Sequence, residues 1–221
     1  MKTQTAKKTT QKDPREKIIE SYISHVLEHG SEPKSIFKFT QELKMKEGDF
    51  YSYFTSMEGI KAAIWSQILD ETLSQLKAQE VYPSYSSREK FLGFLFTWIE
   101  VLKNHRSFLL ALYQKQSSRL GMLPAELKTF RKDFLEFSTE ILKEGEESQE
   151  ISKRPILSDR YGEALWVQVL FVLKYWMEDQ SPRFEKTDAA IEKSVNLAFD
   201  LMGQSALDRF LDFAKFLYQN K

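Results

Sequence analysis

Two histidines, His25 and His29, stand four residues apart, the spacing at which one helix face can offer two imidazoles to a metal ion. No third ligand is indicated, and the residues between them do not make the HExxH pattern of a zinc hydrolase, so both read as surface or capping histidines and no metal is expected. The chain has no cysteine, which removes thiolate nucleophiles, thiolate metal sites and disulfides and suits a reducing cytoplasm. A phosphate-cradling glycine loop, a dinucleotide glycine motif and a serine elbow are missing too, and the acids are scattered through a sequence that is 29% charged. These residue types and spacings point away from an enzyme and imply no cofactor.

More chemistry gathers in the run Lys46-Glu47-Gly48-Asp49-Phe50-Tyr51-Ser52-Tyr53-Phe54. Tyr51 and Phe54, three apart, share a helix face and can pin a short helix to its neighbours, while Gly48 permits close backbone approach. The Tyr53 hydroxyl can reach a phosphate. The positive end of the helix that follows, with Ser56, Met57 and Glu58 in its cap region, is itself an anion-attracting group.

The elements that must position this run are helices. The 221 residues include only eight glycines and six prolines, and apolar residues recur at helical spacing with no sustained alternation, so the chain reads as all-α with about nine to ten helices. Asp13-Pro14 starts the first helix, whose apolar face Ile18, Ile19, Tyr22, Ile23, Val26 and Leu27 ends at Gly30. Ser35 starts a short second helix, the link Lys44 to Glu47 leads to a short third, and Ser56 caps a fourth that runs toward Pro83. Ser86 and Glu89 cap the next, a short apolar helix spans His105 to Tyr113, and Pro124 begins a long one ending in the acidic run Glu144 to Glu150, read as a solvated loop. Helices over about 159–179, 184–202 and 205–219 complete the chain, with Gly203 as a C-cap. The division expected is a basic tail over 1–12, a helix-turn-helix unit over 13–60 and a larger helical body over 61–221.

From Ser35 to Ile60, SIFKFTQELKMKEGDFYSYFTSMEGI resembles, without a gap, the DNA-binding signature of TetR-family transcriptional regulators, most closely over Gly48 to Glu58. The resemblance implies a homodimeric, ligand-responsive regulator whose third helix enters the major groove of double-stranded DNA. The DNA-contacting residues it implies are Lys34, Ser35, Lys46, Glu47, Asp49, Tyr51, Tyr53 and Lys61. An apolar small-molecule effector in the aromatic body is implied as well, with Trp98, Phe134, Phe137 and Phe171 as its lining. The helices around Ala164–Trp176 and Ala190–Met202 resemble the pair that meets its symmetry mate, giving Leu165, Val169, Val172, Trp176, Ile191, Val195, Ala198 and Met202 as the dimer interface.

Four positions depart from the family pattern. Lys44 replaces a turn glycine, Met57 stands where a phosphate-binding lysine is usual, Asp49 replaces a threonine, and Glu47 occupies a site often basic or polar. An acid in the first turn of a helix is stabilised by its dipole, and an acid at the base edge can also accept from a cytosine amino group. Residues 13–61 carry seven basic and nine acidic side chains, and the net charge of zero offers no whole-chain attraction to nucleic acid, so any binding rests on a local patch. These departures keep a second reading open, a lipid- or isoprenoid-binding accessory protein of the same fold. The most continuous apolar stretch, Ala164 to Leu173, is interrupted at Gln168 and too short to span a bilayer, so a cytoplasmic protein is expected.

Overall fold

The computed structural model describes residues 13–113, 126–154, 157–203, 213 and 215–219. The described residues contain helices and no strand: α1 (Pro14–His29), α2 (Ile36–Glu42), α3 (Glu47–Phe50), α4 (Met57–Lys77), α5 (Ser87–Lys103), α6 (Arg106–Tyr113), α7 (Leu127–Glu147), α8 (Ser158–Glu178) and α9 (Glu185–Met202). Short 3-10 turns at Tyr82–Ser84 and Pro182–Phe184 carry Pro83 and Pro182. The expected basic tail, the start at Pro124 and most of the helix over 205–219 lie outside the described residues.

Local chemistry sets the helix ends. The Asp13 side chain accepts from the Arg15 N–H at 3.0 Å, Pro14 takes the first helical position, and Gly30 closes α1 in the left-handed region (φ 63°) with its N–H on the Val26 carbonyl. Ser35 caps α2 by accepting from the Lys38 N–H, and Ser86 with Glu89 forms a complete capping box on α5.

The described residues fold as two compact units, one built from residues 13–64 together with 107–113, the other from 65–106 together with the described residues from 126 onward. In the first, Ile18, Ile19, Tyr22 and Val26 of α1 are buried. The Tyr22 ring meets the edges of Phe39 and Phe108, each with ring centroids 6.1 Å apart. Phe108 reads from the sequence as part of the aromatic body, yet it packs against the first helix, a contact between residues too far apart along the chain for periodicity to reveal.

In the second unit α5 lies against α7 and α9, and α8 against α7 and α9. Its centre is aromatic: Trp98 stacks between Phe94 and Phe130 (centroids 6.2 and 5.6 Å), and Trp166 closes on Phe130 and Phe134 at 5.7 Å. Gly145 lets the end of α7 approach the following segment, because a Cβ there would stand 2.6 Å from Ile151 Cδ1. The acidic run is a loop only over its last three residues, 148–150. Glu144 to Glu147 belong to α7, Glu144 pairs with Lys90, and the Glu150 carboxylate accepts from the Ser87 and Arg88 N–H groups at the open start of α5. Four orphan donors at a helix N-terminus attract a carboxylate, which a count of like charges along the chain does not register.

The turn from α8 to α9 is clamped by two side chains. Arg106 donates to the carbonyls of Trp176, Met177 and Asp179 and lies over the rings of Trp176 and Phe184. Asp179 accepts from the N–H and hydroxyl groups of both Ser181 and Thr187. Arg183 and Phe184 both adopt positive φ (55° and 63°) here, and the packing of Phe184 on Trp176 holds them there.

Two stability outcomes follow. Desolvation pushes the Asp179 carboxyl up, but the hydrogen bonds from Thr187 and Ser181 outweigh it and bring its pKa from 3.8 down to about 2. A depressed carboxylate contributes stability that is complete above its unfolded pKa and is lost as pH falls toward the folded value. Denaturant titrations of the wild type should therefore lose stability between about pH 4 and 2, and Asp179→Asn should be less stable at pH 7 and flatter across that window. The second concerns Lys44, which sits in the turn between α2 and α3 at φ 53°. Lys44→Gly relieves this left-handed strain and should stabilise the chain by about 1 kcal/mol, read as a rise in Tm of roughly 2–4 °C.

Candidate nucleic-acid interface

The corner made by α2, the turn and α3 is held from behind by aromatic rings. Phe39 of α2 meets the edge of Phe50 (6.4 Å between centroids), Phe50 lies 6.2 Å from Phe54, and all three are buried. The Arg15 guanidinium covers the Phe54 ring at 5.3 Å. Tyr51, expected to share the pinning role with Phe54, instead points outward. The buried partner is Phe50, and a helix one turn long rotates its faces with its exact start, which the sequence leaves open.

With Phe39 and Phe50 turned inward, the polar residues of the corner are left outside. Lys34, Ser35, Lys46, Asp49, Tyr51 and Tyr53 are exposed, and Glu47 is half-buried at the first position of α3. The Tyr51 hydroxyl donates to Glu47 Oε1 at 3.0 Å, a bond that raises the tyrosine pKa and keeps it a donor. Four lysines around α2, Lys34 before its cap, Lys38 on it and Lys44 and Lys46 in the turn after it, are exposed and carry no ion pair among the described residues. Lys38 and Lys44 are not among the DNA contacts expected from the sequence, where Lys44 stands out only as the replacement of a turn glycine; the Ser35 cap, which fixes the phase of α2, is the signal that places Lys38 outside. Several acids of this unit are engaged internally: Glu42 accepts from His25 at 2.8 Å, and Glu32 binds both Lys61 and the Tyr22 hydroxyl.

Lys61 is the exception among the expected DNA contacts. Its side chain is buried, with the residue only 7% exposed, and its ammonium donates to Glu32 at 3.2 Å, so it braces α4 against the end of α1 instead of facing solvent. A glutamate 29 residues upstream is the partner, and nothing in the local pattern announces it. At the start of α4 the Ser56 hydroxyl oxygen accepts from the Gly59 N–H, and the Glu58 carboxyl is held below its usual range, chiefly by a backbone hydrogen bond. Gly48 also departs from expectation: a Cβ there would meet nothing within 4 Å, so no packing inside the protein demands the glycine.

His25 and His29 do come together, with rings 4.4 Å apart, but no group of three or more potential ligands that could hold a metal forms among the described residues. No described helix is long and apolar enough to cross a membrane.

The body residues sort differently from the sequence reading. Trp98, Phe134 and Phe137 are brought together in the aromatic centre of the second unit, where Phe137 lies 5.1 Å and Phe134 5.4 Å from Phe94. Phe171 is not among them; it is 46% exposed on the outer side of α8. The residues expected at the dimer interface are corrected in the same way. Leu165, Val169, Val172, Trp176, Ile191, Val195 and Met202 are all buried in the protomer's own core, and Ala198 is half-buried. Among the apolar residues left outside are Ala164, Val167 and Phe171 on α8 and Leu197 and Leu201 on α9. Both helices carry two apolar stripes, and the stripe with the larger rings and longer contact row turned inward. A groove of about 640 Å³ beside the α8–α9 turn is polar, lined by Tyr175, Glu178, Asp179, Ser181 and Lys186 among others.

Comparison with known proteins agrees with this architecture. Residues 90–217 match the family model described as the tetracyclin repressor-like C-terminal domain. No curated protein matches the sequence. Among solved structures, a protein assigned to the TetR-family transcriptional regulators from Syntrophomonas wolfei shares 20% identity over 87% of this chain and 96% of its own, with a TM-score of 0.64. A TetR transcriptional regulator from Nitrosomonas europaea gives 14% identity over 84% and 98%, TM-score 0.60. A regulatory protein in the tetR family from Rhodococcus RHA1 gives 14% over 87% and 98%, TM-score 0.54. At these identities the solved structures speak for the fold. The family match spans more than half of the sequence and completes the assignment: the chain belongs to the TetR family of transcriptional regulators.

Proposed function

We propose that the protein is a homodimeric, ligand-responsive repressor, acting in the cytoplasm, that binds operator DNA through the α2–α3 corner. The observation that carries this reading is the cluster of four exposed lysines without ion pairs around the corner, which outnumber the two acids there, Glu47 and Asp49. Free ammonium groups flanking a short exposed helix suit phosphates on either side of a major groove. The open space over Gly48 fits the same picture, since a bare backbone there leaves room for a duplex.

Dimerisation is supported by the outward apolar residues of α8 and α9. Val167 (64% exposed), Phe171, Leu197 (61%) and Leu201 are large apolar side chains that a lone protomer leaves in water, and a second copy would bury them isologously. An apolar effector would act within the second unit, parting the rings around Trp98, Phe134 and Phe137, with α4 as the continuous element that carries the shift from residue 77 back to the corner. The second reading, a lipid-binding accessory protein, is favoured by the inward Lys61 and the exposed Asp49, which reduce attraction to a duplex.

Fluorescence anisotropy with the duplex upstream of the protein's own gene, at several salt concentrations, separates the two. Tight binding with a steep salt dependence is expected, and Lys46→Ala should lower the slope by about 0.9. Gly48→Ala should leave Tm unchanged or slightly raised yet weaken the complex. Binding no tighter than to a scrambled duplex of equal length, together with co-purified lipid in native mass spectrometry, would replace the repressor by the lipid carrier. For assembly, Val167→Glu with Leu197→Glu should give a folded monomer by light scattering and circular dichroism. A dimer that persists would remove these faces from the interface. Substitution at Val169 is unsuited to this purpose, since it perturbs the protomer core.

A further inference from the structure

Resting on the DNA-binding role proposed above, we infer that Glu47 is a specificity-determining residue that reads a cytosine in each operator half-site. Glu47 opens α3, and the N-terminal residues of a recognition helix are those nearest the base edges. Its carboxylate is already oriented: the Tyr51 hydroxyl, one helical turn on, holds Oε1 at 3.0 Å, and Oε2 has no partner among the described residues. Lys46, adjacent in sequence, makes no ion pair with it, so the negative charge is left unneutralised at the surface that would face the duplex.

A carboxylate held through one oxygen, with the other left without a partner among the described residues, has narrow requirements. Against phosphates it is repelled, and at a guanine or thymine edge it meets only acceptors or a methyl group. Adenine offers an amino group but places the N7 acceptor beside it, which repels the second carboxylate oxygen. Cytosine offers its N4 amino donor without a neighbouring acceptor on the same base, and a carboxylate that accepts from it loses its unpaired character. The lysines around the corner supply attraction to any sequence, whereas Glu47 makes the complex fail wherever the donor is missing. The carboxylate that weakens DNA binding in general becomes the element that discriminates.

The test is enrichment from a randomised duplex library with the full-length protein, followed by anisotropy titrations on single-base variants of the enriched duplex. Wild type should enrich a two-fold symmetric sequence with one cytosine per half-site whose replacement weakens binding at least about fivefold. Glu47→Ala should lose preference at that position alone and keep the rest of the sequence. Glu47→Gln, which can donate and accept, should shift the preference there toward adenine, a change of base that a merely structural role would not produce. An enriched sequence whose base preferences are the same in wild type, Glu47→Ala and Glu47→Gln overturns the inference while leaving DNA binding intact. Enrichment of no sequence by the wild type overturns the DNA-binding reading itself.

Discussion

The burial of Phe50 between Phe39 and Phe54 is the contact on which the surface of the N-terminal unit depends. A helix of four residues has no stability of its own, because nucleation fixes several dihedral angles for a single hydrogen bond. What keeps α3 in place is one ring on its inner side, meeting rings from α2 and from the turn that follows. Once that ring is inside, the geometry of a single helical turn puts Asp49 and Tyr51 toward solvent and leaves Glu47, three residues before Phe50, half-buried. Lys61 and Glu32 add a second brace by tying α4 to the segment after α1, and Tyr22 joins them through its hydroxyl. A polar residue that resembles a phosphate contact is thereby spent on rigidity.

The body obeys a different constraint, that α8 must satisfy two environments at once. Its inner stripe, from Leu165 to Trp176, is buried against α7 and α9, and at the far end Arg106 takes up the carbonyls that the helix leaves unpaired. Its outer stripe, Ala164, Val167 and Phe171, is equally apolar but is left in water. A helix apolar nearly all round needs burial on both sides, and the protomer supplies one. The Gln168 amide, which donates to the Ser194 hydroxyl at 2.9 Å between α8 and α9, marks the seam between the two stripes and fixes the register of the helix pair.

Electrostatics gives the neutral chain a local character. Equal numbers of acids and bases would leave an evenly mixed surface indifferent to a polyanion. The acids are not evenly used, however: Glu32 and Glu42 are turned to intramolecular partners in the first unit, and Glu144 and Glu150 to partners in the second. Each internal ion pair removes one charge of each sign, so the local character comes from placement: Lys34, Lys38, Lys44 and Lys46 gather around α2 and its turn without ion pairs, beside Glu47 and Asp49, although residues 13–61 are net acidic by count.

Sequence alone determined whatever depends on neighbours within a few residues. The helical class, the caps at Asp13, Ser35, Ser56 and Ser86, the stop at Gly30 and the short helix-turn-helix corner follow from spacing, capping chemistry and backbone freedom, all of which act locally. Tertiary structure decided everything that depends on which face of a helix meets which partner. Periodicity shows apolar residues on α8 and α9 but not which of them turn inward, so most of the residues expected at the dimer interface lie in the protomer core. It shows Lys61 and the acidic run as charges but not Glu32, 29 residues away, or the open N-terminus of α5, more than 60 residues away, as their partners. A stripe of residues is a property of one segment, whereas burial and ion pairing are properties of two, and the second segment is chosen only when the chain has folded.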